Sequence, residues 1–203
     1  MRKGFTLIEM MIVVAIIAII AAIAIPSLLA ARRSSLETNA VGSCRTLCSA
    51  QTMFKRNDWD AIVGGGLQFP TGAEAGAGVL EYCQDLRDLS MCIDGNGDPI
   101  NLIDSAFANA KSAASGGNGQ PKHGYLFQEL TQIAGVNIDW VNDYGLAGCP
   151  AVYGRTGYRS FIVCTNGTVF GKDIQTAVPP VFADPDLVNY PADPATNNWI
   201  IAE

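Results

Sequence analysis

The sequence predicts an α+β fold, in which one long amino-terminal α-helix leads into a head with a small antiparallel β-sheet. Three observations predict it. A continuous apolar run opens the chain, an apolar stripe at helical spacing follows it, and short alternating runs flank an Asn-Gly turn in the second half. The composition, 49% hydrophobic and 16% charged, is that of a folded chain and excludes a disordered one.

The first element is an apolar helix. Residues 5–26 are apolar apart from Thr6 and Glu9, and their helical length of about 33 Å is enough to cross a bilayer. Arg2 and Lys3 precede the run, so the positive-inside rule keeps that end in the cytoplasm and exports the rest. A discarded secretory signal is the alternative, but the helical pattern continues beyond the run. A carboxylate at this depth costs about 2.5–3.5 kcal/mol, and the segment offers Glu9 no partner.

The helical pattern then continues to about residue 56 with a different character. One apolar stripe at spacings of three, four and seven marks an amphipathic half that covers the head. Pro26 removes a backbone hydrogen bond and should kink or locally melt the helix near this transition. We therefore assign residues 5–30 to a transmembrane half and residues 31–56 to an amphipathic half. The stripe consists of Leu29, Leu36, Ala40, Cys44, Leu47 and Phe54.

The head is assigned to residues 57–175. It opens with a glycine-rich surface loop, and short helices and then strands follow. Asn166-Gly167 is a favoured hairpin turn between the last two strands. The expected helices cover residues 79–90 and 101–113, and the expected strands cover 125–130, 158–164 and 168–170.

The last segment, residues 176–203, is rich in proline and is expected to lack regular structure. Such a tail wraps a surface in extended form. We expect Trp199, near its end, to dock onto the head or onto a neighbouring subunit.

Six cysteines suit an oxidising compartment, where thiols pair. They allow 15 pairings, and spacing alone does not choose among them. We expect the two helix cysteines, Cys44 and Cys48, each to take a partner in the head, so that disulfides staple the head to the helix. A metal pair is the alternative use of these two residues. The other disulfide candidates are Cys83, Cys92, Cys149 and Cys164.

One segment is a candidate calcium site. Asp94, Asn96 and Asp98 place side-chain oxygens at the first, third and fifth positions of a calcium loop. Pro99 and Ser105 stand where such a loop wants Gly and Glu, and Asp and Gly are also common turn formers, so both readings stay open. No other cofactor is predicted.

The charge balance and the single histidine exclude other classes of function. A net charge of −6 argues against binding of nucleic acid along the molecule. His123 is the single histidine of the sequence, which leaves little basis for a His-based catalytic triad or metal site. We therefore do not expect an enzyme.

The amino terminus carries a specific resemblance. Met1-Arg-Lys-Gly4, then Phe5 with Glu9 four residues later, then an apolar run to Pro26, resembles the class III leader and first helix of type IV pilins and type II secretion pseudopilins. The resemblance implies that a prepilin peptidase removes residues 1–4 and methylates the new amine of Phe5. It also implies that Glu9 pairs with the Phe5 amine of a neighbouring subunit, and that the sheet packs on the second half of the helix.

The expected function is therefore that of a pilin, a structural subunit of an extracellular type IV pilus-like filament. The resemblance implies a helical homo-oligomer built by the pilus assembly machinery. The subunit would span the inner membrane once before assembly and lie at the cell surface afterwards. One alternative is a pseudopilin of a periplasmic secretion pseudopilus, and another is a membrane-anchored binding module that never polymerises.

Overall fold

The computed structural model of the protein describes residues 5–57, 82–92, 99–111, 119–175 and 185–202. Its first element is helix α1, Leu7–Asn57, whose 51 residues span about 77 Å. This confirms the predicted long helix. No described residue before Ala40 is buried, so only the last third of α1 lies in the core.

The second half of α1 carries the predicted apolar stripe. From Ala40 to Phe54 the stripe residues are buried, and Leu36 packs against them at the edge. Leu29 departs from the prediction because it is 51% exposed.

Pro26 lies inside α1, which continues as helix on both sides of it. The predicted local melting is therefore wrong. Proline removes one backbone donor, and the bonds of the flanking turns suffice to carry the helix past the gap.

The described head contains two further short α-helices, two 3-10 helices and eight strands. The helices are α2, Ser105–Asn109, and α3, Pro185–Val188, with 3-10 turns at Asp88–Ser90 and Ala195–Asn197. The strands are β1, Tyr125–Glu129; β2, Gln132–Ile133; β3, Val136–Asn137; β4, Gly145–Pro150; β5, Arg159–Cys164; β6, Phe170–Asp173; β7, Asn189–Tyr190; and β8, Ile200–Ile201.

Five of the strands form an antiparallel sheet in the order β1-β4-β5-β6-β8. The strands predicted at residues 125–130 and 158–164 correspond to β1 and β5. The hairpin joining β5 to β6 pairs Ile162 with Phe170, and Gly167 adopts the left-handed backbone (φ +73°) that its turn requires. A second, three-stranded sheet has the order β3-β2-β7.

The central strands β4 and β5 of the five-stranded sheet are buried on both faces over most of their length. One face packs against α1 through side chains such as Phe127 and Phe161. The opposite face is covered in part by α3 and β7, which bring Leu187 and Tyr190 into a second core with Trp199. A strand that is covered on both faces does not alternate between polar and apolar residues. The central strand β4 is buried at every position, so its sequence did not indicate a strand.

Two glycines let aromatic rings lie flat across the sheet. Gly148 pairs with Phe127, and Gly171 pairs with Phe161. A Cβ atom at Gly148 would lie 2.9 Å from the Phe127 ring, and one at Gly171 would lie 3.0 Å from the Phe161 ring. A side chain at Gly148 would therefore require the Phe127 ring to move, and one at Gly171 would be in tight contact with the Phe161 ring.

Two of the predicted helices are shorter than expected. The described part of residues 79–90 holds only the 3-10 turn, and the helix expected over 101–113 is limited to α2. Asp104 caps α2 by accepting a hydrogen bond from the Phe107 backbone N–H at 2.8 Å, which sets its start.

The expectation that the tail lacks regular structure is wrong for its described part. β8 pairs with β6 at the sheet edge, matching Ile201 with Phe170, and β7 pairs with β2. Proline stays outside these two strands, so it removes none of their donors. Trp199 is 3% exposed, which confirms that it docks onto the head of its own chain.

Candidate functional site: the amino-terminal helix

The first half of α1 exposes its apolar side chains on all sides. Exposed fractions of its large apolar residues run from 47% at Met10 and Val13 to 78% at Phe5 and Leu7. Among the described residues, α1 is the helix long and apolar enough to cross a membrane, with a mean hydropathy of 3.0 over its most apolar window. An apolar surface of this size requires lipid or neighbouring helices to cover it.

Glu9 lies at the start of this helix and accepts hydrogen bonds within its own chain. Its Oε2 accepts from the Thr6 backbone N–H at 2.8 Å and from Thr6 Oγ1 at 2.7 Å. Thr6 Oγ1 in turn accepts weakly from the Glu9 backbone N–H at 3.3 Å. This is a capping box, in which the first helical turn satisfies its own donors.

The prediction that Glu9 lacks a partner in its own segment is therefore wrong, and Thr6 is the residue that the sequence analysis missed. The S/T-x-x-E spacing of a capping box was the available signal. Thr6 supplies hydrogen bonds but no positive charge. No cation of the described chain lies within ion-pair distance of Glu9, so its charge remains uncompensated.

The processing site is only partly within the described residues. Gly4 and the rest of the leader lie outside them, whereas Phe5 is described and is 78% exposed. Cleavage after Gly4 remains a prediction.

The second half of α1 is clamped to the head by polar contacts. Glu37 Oε2 accepts from Arg159 Nε at 2.9 Å, and Glu37 Oε1 accepts from the Tyr158 backbone N–H at 2.9 Å. Arg33 Nη1 donates to the Gly154 carbonyl at 3.1 Å, and its guanidinium lies 4.9 Å from the centre of the Tyr158 ring. The helix therefore meets the rim of the head in a defined orientation.

A buried ionic cluster lies inside the head. Lys111 Nζ contacts Asp85 Oδ2 at 3.0 Å and Glu129 Oε1 at 3.1 Å, and Arg87 Nη2 contacts Asp85 Oδ2 at 2.9 Å. Burial alone would raise the pKa of Asp85, but hydrogen bonds from Arg87 and Lys111 outweigh it and lower the pKa to about 2. Asp85 is therefore charged at neutral pH.

Asp88, close to the same cluster, behaves in the opposite way. It is buried, and burial together with repulsion from Asp85 raises the pKa of its carboxyl to about 6. We interpret the cluster as a structural feature of the core, because its charged groups form ion pairs with one another.

The described residues show no catalytic or metal site. His123 is exposed in a turn, and no group of three or more His, Cys, Asp or Glu side chains in the described ranges could hold a metal ion. The candidate calcium ligands Asp94, Asn96 and Asp98 lie outside those ranges, so calcium binding stays a prediction.

The structure contradicts the predicted disulfide staples. All six cysteines are free thiols. Cys83 and Cys92 donate hydrogen bonds to the carbonyls of Asp85 and Asp88, at 3.1 and 3.2 Å. Burial raises the pKa of the Cys92 and Cys149 thiols to about 12, which suppresses the thiolate needed to form a bridge. The remaining free thiols are Cys44, Cys48 and Cys164.

Two sequence families match the chain. Residues 1–25 match the family described as "Prokaryotic N-terminal methylation motif". Residues 29–183, about three quarters of the chain, match the family described as "Protein of unknown function (DUF2950)". The second match covers most of α1 beyond Pro26 and most of the head.

Among curated proteins, two pilins are similar over 53 residues, 26% of this chain. The "Type IV wide pilus major component PilA4" of Thermus thermophilus is 49% identical over that stretch, which is 40% of its length. The "Type IV major pilin protein PilA" of Myxococcus xanthus is 50% identical, over 24% of its length. The chain thus matches less than half of either relative. No solved structure matches the chain.

The long apolar helix, packed by its second half against an antiparallel sheet, fits a pilin-like α+β fold and agrees with the match to the methylation motif. The chain belongs to the DUF2950 family, and its amino-terminal quarter, with its methylation motif, is similar to that of type IV pilins.

Proposed function

We propose that this chain is the structural subunit of an extracellular type IV pilus-like filament. The observation that carries the proposal is the apolar half of α1, which is exposed at every position except the half-buried Ala21 and has Glu9 as its one charged residue between Leu7 and Ala31. A lipid bilayer covers such a helix before assembly, and the helices of other copies cover it afterwards. A prepilin peptidase would first remove the leader.

In this assembly, the pairing of Glu9 with the Phe5 amine of the next subunit sets the axial position of one subunit relative to the next. Both hydrogen bonds from Thr6 reach Oε2, which leaves Oε1 to accept from the methylated Phe5 amine of the next subunit. The Phe5 amine would neutralise the negative charge of Glu9. Thr6 donates hydrogen bonds to this carboxylate but carries no positive charge. Because a buried charge is costly unless paired, subunits would stack where the amine and the carboxylate meet.

Two variants separate the assembly role of Glu9 from its capping role. Glu9→Ala removes the charge and the cap, and should leave processed subunits in the membrane without filaments. Thr6→Ala removes the side-chain part of the cap but keeps the charge, and should still build filaments. The measurement is electron microscopy of sheared filaments together with immunoblots of the membrane fraction.

Normal filaments from Glu9→Ala would refute the proposed pairing. Equal loss of filaments in both variants would assign Glu9 to helix capping alone.

The names of the two pilin relatives favour a surface pilus over a secretion pseudopilus for this chain. Deletion of the gene distinguishes the two. We expect loss of extracellular fibres that contain this chain, whereas cargo retained in the periplasm would identify a pseudopilin.

A further inference from the structure

A cavity of about 330 Å³ lies where α1 leaves the head. One wall is a stretch of helix just beyond the apolar half, and the other is the turn at residues 154–156. Both walls carry arginine, and the helix adds two leucines. The residues that define it are Leu29, Arg32, Arg33, Leu36 and Arg155.

The turn that forms the second wall is held in place. Arg33 fastens it to the helix through the Gly154 carbonyl at 3.1 Å. Within the turn, the Thr156 backbone N–H donates to the Val152 carbonyl at 2.9 Å, and Gly154 adopts a left-handed backbone (φ +75°). The cavity is therefore a built feature of the fold.

Two of its three guanidinium groups have no anionic partner. Arg32 and Arg155 are exposed, and no carboxylate of the described chain lies within ion-pair distance of either. Arg33 is occupied by the turn. On a chain whose net charge is −6, this pair concentrates positive charge at one place.

The cavity lies at the height of the lipid headgroups. The apolar run of residues 5–26 is about 33 Å long, and the hydrocarbon core is about 30 Å thick. When this run spans the core, Arg32, six residues after its end, lies about 9 Å beyond the outer end of the run. Basic residues usually flank a transmembrane helix on its cytoplasmic side. Arg32 follows the helix on the opposite side, which suggests that it has a specific local role.

We propose that this cavity binds the phosphate of an anionic phospholipid in the outer leaflet while the unassembled subunit waits in the membrane. Arg32 and Arg155 contact the phosphate oxygens, and Leu29, which lies on the membrane side of Arg32, lies against the glycerol and the first methylenes. The inference rests on the membrane anchoring in the proposed function, but not on polymerisation.

The test uses the full chain, purified in a non-ionic detergent and stripped of lipid. Phosphatidylglycerol and phosphatidylcholine are titrated separately, and bound lipid is counted by native mass spectrometry. We expect tighter binding of phosphatidylglycerol. The double variant Arg32→Gln/Arg155→Gln should lose roughly 30-fold in that affinity, from the usual contribution of two interfacial basic residues.

Arg56→Gln is the matched control, because Arg56 is an exposed arginine on the same helix, 24 residues farther along. It should bind lipid as the unchanged chain does. Thermal unfolding of both variants and of the unchanged chain verifies that the head is intact.

Three results would overturn the inference: equal affinity for both lipids, unchanged affinity in the double variant, or displacement of the lipid by millimolar inorganic phosphate, which would indicate a site for free anions. Loss of subunit cross-linking in the double variant with lipid affinity unchanged would reassign the arginines to a contact with a second copy. A chain that binds phosphatidylglycerol but builds no filaments would refute the proposed function and leave this inference standing.

Discussion

Lys111 shows how single residues hold this head together. It is 5% exposed and bridges Asp85, which begins the segment before the 3-10 turn, to Glu129 at the end of β1. Glu129 also accepts from the Leu86 backbone N–H at 2.7 Å. One ammonium group thus fastens an irregular segment to the sheet.

Replacing Lys111 with Met should lower the free energy of unfolding by roughly 3 kcal/mol, because the buried Asp85 and the half-buried Glu129 would lose the ammonium group between them. Urea unfolding of the full chain in detergent, followed by tryptophan fluorescence, measures the loss. Arg56→Met, an exposed change, is the control and should have little effect. A loss below about 1 kcal/mol for Lys111→Met would show that the cluster contributes little to stability.

Asp88 makes the stability depend on pH in a predictable direction. Its pKa of about 6 lies above its ordinary value, so between about pH 4 and 6 the folded chain keeps a proton that the unfolded chain has released. Stability therefore falls as the pH rises through that window. The lowered pKa of Asp85 acts in the opposite sense, but at lower pH, between about 2 and 4.

Asp88→Asn should remove this dependence and raise stability at pH 7.5 relative to the unchanged chain. Unfolding free energies at pH 4.5 and pH 7.5 measure it, and one proton allows a slope of at most about 1.4 kcal/mol per pH unit. The same pH dependence in both proteins would contradict the assignment to Asp88.

At the scale of elements, α1 is divided by its surroundings into two halves. The sequence predicts both, because an apolar run and a one-sided stripe are local patterns. The elements it missed depend on distant partners. β4 is glycine-rich and buried on both faces, and β8 exists because β6 offers an edge to the tail. Lys111 lies far in sequence from its ion-pair partners Asp85 and Glu129, so no local sequence pattern predicts that these residues are in contact.

The contact of α1 with the head rests in part on Glu37. Glu37→Ala should lower the free energy of unfolding by about 1–2 kcal/mol, since it removes an ion pair to Arg159 and the acceptor of the Tyr158 backbone N–H. Glu37→Gln keeps an acceptor and should restore part of the loss. Urea unfolding compares the two, and equal losses would show that the charge alone matters.

At the scale of the whole molecule, the head is a closed unit with two cores, whereas half of α1 has no core to enter. Thr6 donates hydrogen bonds to Glu9 but does not neutralise its negative charge. Nothing in the described chain covers the apolar side chains around Glu9. The described head thus buries its own apolar residues, whereas the first half of α1 leaves its apolar residues exposed.

The most direct measurement is the intact mass of this chain recovered from sheared extracellular filaments. We predict a chain that begins at Phe5 and carries one additional methyl group. A chain in the cell envelope that still begins at Met1, and that is absent from the filament fraction, would contradict the proposal that this protein is processed and assembled as a pilin.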